Sequence, residues 1–407
     1  MRDKDLFQLA LGLTDPWFVE RCEFDAQRGV LDIHLNFQRG AKFPCPECAG
    51  ADRSVHDTEV KQWRHLNFFE HHAYLHARMP RMRCDKCGVR TVGVPWARPG
   101  SGFTLLFEAF VMTLAKEMPV MGIAALVGEW DTLLWRMIRH WVDQARSEQD
   151  FSEVSKVGID ETAARRGHNY ISVFVDLDNS GAIFATQGKD ASTVGRFVED
   201  FEAHDGKAEN IEEVCCDMSP AFIRGVRDSL PQAQMTFDKF HVIKIVNDAV
   251  DQVRRAEQKD RPELKGSRYS WIKNEQNLTE KQAAILGDLS VPRLNLKTAR
   301  AWRMRLAFQE LYRQPAERAE EFVRQWLAWA ARSRLQPMIK AGRTIRNHLP
   351  GVLRWFASHI NNGVLEGLNS LIQAAKARAR GYRTINNLIT AVYLVAGKLD
   401  FGQLYPQ

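Results

Sequence analysis

Residues 156–187 read KVGIDETAARRGHNYISVFVDLDNSGAIFATQ, and the fold turns on them. Apolar runs at 156–161, 169–177 and 182–187 have the length and β-branched content of strands. Asp178-Asn179-Ser180-Gly181 supplies a turn between the last two. Beyond them the pattern predicts a helix over 191–203, a buried strand over 211–217, a helix over 219–229 and a strand over 233–237. Strands interleaved with helices describe an α/β core. The pattern is helical from 240 to about 349 and again over 352–396.

Upstream the chain changes character twice. Residues 1–98 alternate β-like runs, such as Leu31–Leu35 and Ala73–Ala77, with turns. Residues 103–117 and 120–127 read as helices, and Asp131 can cap a third. Three short helices in this space match a helix-turn-helix unit.

With 407 residues and 45% apolar content, the chain can bury a large core. The first residues carry charges where a signal peptide needs an apolar core, and no run is long and apolar enough for a membrane helix. A cytosolic protein with no membrane partner is expected. The net charge of +6 says less than its distribution. Arg300–Arg346 holds 11 Lys or Arg against 4 Glu, and Ala374–Arg383 holds Lys376, Arg378, Arg380 and Arg383 with no acid. Such clusters suit a polyanion; a solvated helix face is the alternative.

Cys45-Pro-Glu-Cys48 and Cys84-Asp-Lys-Cys87 form two CxxC pairs. Thiolates two residues apart on a tight turn can both face one tetrahedral ion, so two such turns predict one structural Zn²⁺. The 35 residues between the pairs are long for such a site but β-like enough to form a ribbon. His65, His71 and His72 are read as surface or DNA-facing, since four cysteines already saturate zinc. Cys215 and Cys216 read as small hydrophobes in a strand.

Three carboxylates stand out. Asp160 follows Gly158-Ile159, Asp217 follows Val214-Cys215-Cys216, and Glu366 opens a helix in NNGVLEGLNSLIQAAKARARGYR, residues 361–383. Asp160 and Glu161 leave their strand on opposite faces, so one of them at most can share a site with Asp217. Ser219-Pro220 has the form of a helix cap with proline at the first position, which leaves Asp217 without a capping duty. Asn362, Asn369 and Gln373 fall near the face of Glu366. Each carboxylate also has a bland reading as a turn, cap or surface residue. Converging carboxylates would suit Mg²⁺, a hard ion that prefers oxygen. Two such ions can serve phosphodiester cleavage.

Taken together, these blocks resemble bacterial insertion-sequence transposases of the DDE type, specifically the ISL-three family. The resemblance spans nearly the whole chain, from the cysteine pairs through Gly-Ile-Asp160-Glu, Asp217-Met-Ser-Pro-Ala-Phe and Phe237-Asp238-Lys-Phe-His241-Val to Asn-Gly-x-x-Glu366-Gly-x-Asn and Gly381-Tyr382-Arg383. It implies an RNase H-like α/β catalytic core with a large all-helical insertion, behind a small β-rich zinc ribbon and a helix-turn-helix. The implied division is 1–98 ribbon, 99–150 helix-turn-helix, 151–246 first part of the core, 247–349 insertion, and 350–407 the final catalytic helix and C-terminus. It also implies a triad of Asp160, Asp217 and Glu366 holding two Mg²⁺ or Mn²⁺ ions, with Asp238 and His241 as accessory residues of unassigned role.

The implied activity is binding of double-stranded terminal inverted repeats, metal-dependent cleavage there, and joining of the freed 3′-hydroxyl to target DNA, by a homodimer or larger assembly. No Ser or Tyr nucleophile is required. Lys376, Arg378, Arg380 and Arg383 would contact DNA. One departure is Gln373, where the family often has lysine; Lys376 is the candidate substitute. Trp271, Trp302, Trp326 and Trp329 lie in the insertion, as helix packing or, for one exposed ring, as a base-stacking surface. A non-catalytic DNA-binding regulator and a structure-specific nuclease are the alternatives.

Overall fold

The computed structural model describes residues 3–165, 169–360 and 363–404. It resolves into two compact units, Met1–Ser147 with Leu399–Gln407, and Glu148–Lys398. Among the described residues no helix is long and apolar enough to cross a membrane.

The first unit begins with helix α1 (Asp3–Ala10) and a sheet of β1 (Trp17–Asp25), β2 (Val30–Phe37), β3 (Lys42–Phe43), β4 (Arg53–Phe68), β5 (His71–Cys84) and β6 (Gly88–Thr91), in the order β1-β2-β5-β4-β3 with β6 on β5. One face buries Trp17, Ile33, Leu35, Trp63 and Leu75, and Trp96 meets the Trp17 ring edge-on at 4.9 Å. Helices α2 (Leu105–Glu117), α3 (Val120–Val127) and α4 (Asp131–Ser147) follow. Thr104 caps α2 by accepting the Phe107 N–H, and Gly128 closes α3 in the left-handed conformation.

Buried Arg64 ties strand to helix within this unit. Its guanidinium donates to the carbonyls of Ala73 (3.2 Å) and Val127 (3.3 Å) and lies over the Phe107 ring. The histidines read as surface or DNA-facing groups are half-buried here. His65 bonds Thr104 Oγ1 at 2.9 Å, His71 packs on Phe24, and His72 lies against Gly128.

The second unit is a mixed α/β core with many helices. Its sheet consists of β7 (Lys156–Arg165), β8 (Asn169–Asp176), β9 (Gly181–Gln187), β10 (Glu213–Cys216) and β11 (Gln234–Phe237), in the order β11-β10-β7-β8-β9. β7, β8 and β9 form an antiparallel meander; β10 and β11 then add in parallel to β7. Parallel neighbours need crossovers. These run through α5 (Ser192–Glu202) and α6 (Pro220–Ser229), which pack Phe197 and Phe222 against Val157, Ile159 and Val214. The strand expected over 156–161 continues to Arg165, because β8 pairs with it as far as Asn169.

The helices α7 (Lys239–Glu257), α8 (Arg268–Ile272), α9 (Glu280–Ser290), α10 (Lys297–Gln309), α11 (Ala316–Arg332), α12 (Gln336–Asn347) and α13 (Leu349–Ser358) come next. α7 runs unbroken across 246/247, so no structural seam marks that position. Trp271 and Trp326 are core residues, donating to Ser267 and the Met304 carbonyl. Trp302 packs edge-on against Trp271, while Trp329 is 43% exposed. Helices α14 (Gly363–Arg378) and α15 (Ile385–Ala396) return to the sheet.

Candidate active site

The register of the parallel strands sets the site. Cys215 is level with Gly158 on β7 and with Thr236 on β11. Asp160, Asp217 and Asp238 each follow two residues later, Asp217 and Asp238 just past the ends of β10 and β11, which brings the three carboxylates to one edge of the sheet. This is the carboxyl edge of parallel strands, where α/β sheets carry their sites. Asp160 is not at the end of β7, as the apolar run suggested. It lies just past the last residue paired with β10, while β8 still supports it.

Helix α14 lies along β7 on the Asp160 face. Leu365 packs over Gly158. Asn369 donates through Nδ2 to Asp160 Oδ2 and accepts the Thr162 hydroxyl at 2.7 Å. Gln373 donates to Thr162 Oγ1 at 3.4 Å, and Lys376 Nζ donates to the Ala163 carbonyl. Glu366 is exposed on the first turn of α14, one turn before Asn369. Asn362 lies outside the described residues.

Asp217 accepts the Ser219 N–H at 2.9 Å, while Ser219 makes no side-chain cap bond. Ser219 keeps the N-cap position without a side-chain bond, and Asp217 holds the cap residue's own N–H rather than a helix N–H. Pro220 does stand at the start of α6. Asp238 caps α7 by accepting the Phe240 N–H at 2.9 Å, and its other oxygen holds His241 Nδ1 at 2.8 Å. Glu161 leaves β7 on the opposite face and lies 3.9 Å from Lys189. Glu161 lines a cavity together with Asp217, Lys189 and Arg224.

The electrostatics follow from this crowding. Burial pushes the Asp160 carboxyl up to about 6; Asp217 and Asp238 add to the shift, and the Glu161 N–H and His241 oppose it. The bond to Asp238 holds the His241 imidazole above its ordinary value against its own burial, with Asp160 and Asp217 adding to it. A cluster that disfavours its own negative charge suits a hard cation.

Arg378, Arg380 and Arg383 are exposed around the end of α14. The helix closes with Gly381 N–H on the Lys376 carbonyl, so the left-handed C′ residue is Arg380 (φ 53°) and Gly381 follows it. Lys376 and Gln373 both direct their donors at β7.

The cysteines make a second centre. One pair sits between β3 and β4, the other in the β5–β6 turn. Ligand atoms of Cys45, Cys48, Cys84 and Cys87 lie within 4.8 Å of one another, and this is the one such group among the described residues. Asp160, Asp217 and Glu366 are not gathered that tightly. Cys48 and Cys84 sulfurs are 3.6 Å apart. A tetrahedral ion with bonds of about 2.3 Å needs sulfurs about 3.8 Å apart, so the set fits zinc. Backbone N–H groups of Cys87 and Lys86 bring the Cys84 thiol down to about 7, which favours the ligating thiolate.

Sequence reasoning missed Thr162 and the specific pairing of Asn369. The available signal was alternation, which puts Thr162 on the face of Asp160.

Residues 157–392 match the family model described as Transposase, for the ISL3 family. Residues 93–142 match the helix-turn-helix domain of transposase family ISL3, and residues 41–87 the zinc-finger of transposase IS204/IS1001/IS1096/IS1165. The chain is 28% identical over 429 residues to the transposase for insertion sequence element IS1557 of Mycobacterium tuberculosis, covering 97% of this chain and 96% of that one. It is 29% identical over 398 residues to the transposase for insertion sequence element IS1001 of Bordetella parapertussis, covering 94% and 96%.

Proposed function

The chain belongs to the ISL3 family of insertion-sequence transposases, and from that membership we propose that it cuts DNA at the ends of its element and joins the freed 3′-hydroxyls to target DNA. The observation that carries this reading is that Asp160 and Asp217 each follow two residues after the level pair Gly158 and Cys215, with α14, which carries Glu366, tied to Asp160 through Asn369. The strand order, an antiparallel meander extended by two parallel strands, supports an RNase H-like core for the second unit. Within it, 247–349 form the helical insertion between the second and third carboxylates. The ribbon (1–98) and helix-turn-helix (99–150) bind the terminal inverted repeats.

Asp160, Asp217 and Glu366 would hold two Mg²⁺ or Mn²⁺ ions, which when bound supply an activated attacking oxygen and a stabilised leaving oxygen. The protein's own groups orient the DNA. Asp238 fixes His241 through Nδ1 and leaves Nε2 to contact the scissile phosphate. Arg378, Arg380 and Arg383 grip the flanking backbone. Both ends are handled together, so the active form is a homodimer or larger assembly.

Incubating the protein and Mg²⁺ with DNA carrying both ends tests the proposal. Joined products are expected. Cleavage without joining would identify a nuclease, and binding without cleavage a regulator; either result overturns the reading.

A further inference from the structure

The bonds between β7 and α14 have a fixed direction. The Gln373 amide nitrogen can only donate, and it donates to Thr162 Oγ1 at 3.4 Å. The Thr162 proton is then directed to Asn369 Oδ1 at 2.7 Å. With its oxygen engaged, Asn369 presents its NH₂ to Asp160 Oδ2. The other Asp160 oxygen accepts the Glu161 N–H at 2.7 Å. Each oxygen of Asp160 thus holds one donor and keeps one further lone pair for a ligand.

The match between helix and strand is metric as well as chemical. Leu365 lies on Gly158, and Lys376 bonds the carbonyl of Ala163. Eleven residues of helix and five residues of strand both advance roughly 16 Å. The two elements therefore stay in step, which brings Asn369 to Asp160. Glu366 is one turn from Asn369 on the same helix, so whatever fixes Asn369 also fixes Glu366 relative to Asp160.

We infer that Thr162 and Asn369 are positioning residues, a hydrogen-bonded clasp that aims Asp160 and sets the separation between its carboxylate and that of Glu366. The inference rests on the proposed catalytic role of those two carboxylates. The bonds described for the two clasp residues run to each other, to Asp160 and to Gln373. Gln373 completes the chain of donors, which gives the glutamine at this position an internal partner in place of a phosphate.

Thr162→Val keeps the β-branched shape and removes the hydroxyl; Thr162→Ser restores it. Asn369→Ala removes both bonds. Binding of Mn²⁺ without turnover, by titration calorimetry on protein bound to end DNA with a non-hydrolysable linkage at the scissile position, is measured beside cleavage and end affinity. Thr162→Val and Asn369→Ala are expected to weaken Mn²⁺ binding and slow cleavage by about 10- to 100-fold each, the scale of lost outer-shell partners. End affinity should stay within about twofold, since such substitutions leave the phosphate contacts intact. Thr162→Ser should behave as wild type, and the double variant Thr162→Val/Asn369→Ala should be no worse than Asn369→Ala, because both break one chain.

Wild-type Mn²⁺ affinity in Asn369→Ala, or a double variant whose losses multiply, would overturn the clasp. Asp160→Asn serves as the control. If it is inactive while Asn369→Ala is normal, the clasp alone fails; if it cleaves normally, the catalytic reading itself fails.

Discussion

Leu365 lies so close over Gly158 that a Cβ there would come within 2.9 Å of both its methyl groups, and within 2.8 Å of Leu177. Backbone conformation does not call for glycine here; the approach of α14 to β7 does. Gly158→Ala should cost about 1–3 kcal/mol, the usual penalty for overpacking, and lift the helix that carries Glu366. Urea unfolding would register the loss, and cleavage should fall with end binding unchanged. Adding Leu365→Ala should recover part of the stability, because the two positions share one space.

The carboxylates separate by face. Asp160→Asn, Asp217→Asn and Glu366→Gln should each lower cleavage by at least about 10²-fold, as when one preorganised contact to a reacting centre is lost. End binding should persist. Glu161→Gln should be milder, because its side chain leaves β7 toward Lys189. A gel assay of cleavage at fixed Mg²⁺ decides it; an inactive Glu161→Gln beside an active Asp160→Asn would reverse the assignment.

What was legible in the sequence was local. Both CxxC pairs could be read because two cysteines on one turn announce their geometry within four residues. The strands could be read wherever their residues were apolar. β7 was read short because Glu161-Thr162-Ala163-Ala164 carries little apolar signal; backbone pairing with β8 holds it extended. Asp217 accepts the backbone N–H of Ser219 at the start of α6, a turn bond that composition does not announce. The bond from Thr162 to Asn369 joins residues 207 apart. Only the packing of α14 on β7 brings them together.

The zinc centre should be separable from the catalytic unit. Purified protein should contain about one Zn²⁺ per chain, and Cys84→Ser/Cys87→Ser about none, because two thiolates do not complete a tetrahedral site. The folding energy of a structural zinc should be lost with it, so end binding should fail while the second unit keeps its own melting transition. Metal analysis and calorimetry on the same samples check both parts; a metal-free yet folded wild type would refute the assignment.

Lys376 should not behave like its basic neighbours. Its ammonium is bonded to the Ala163 carbonyl, so Lys376→Ala should slow cleavage and leave the salt dependence of DNA binding nearly unchanged. Neutralising Arg378, Arg380 and Arg383 should weaken binding to all sequences alike. Each lost phosphate contact should flatten the slope of log K against log salt by roughly one unit. Filter binding across a salt series measures the slopes, and an unchanged slope in the triple variant would remove the arginines from the interface.

The first unit should carry an acid-sensitive joint at His65. Burial, reinforced by Arg64, lowers its pKa to about 4, so the ring is neutral beside Thr104 Oγ1. In the unfolded chain the same ring titrates near 6.5. Between these values the unfolded state binds the proton more readily, so stability is full above about pH 6.5 and falls as the pH drops toward 4. His65→Asn retains a polar group without the titration. Relative to that variant, the wild type should lose about 2 kcal/mol between pH 7 and pH 4.5, if the first unit is followed on its own. Parallel pH profiles of the two proteins would show that His65 is solvated rather than buried.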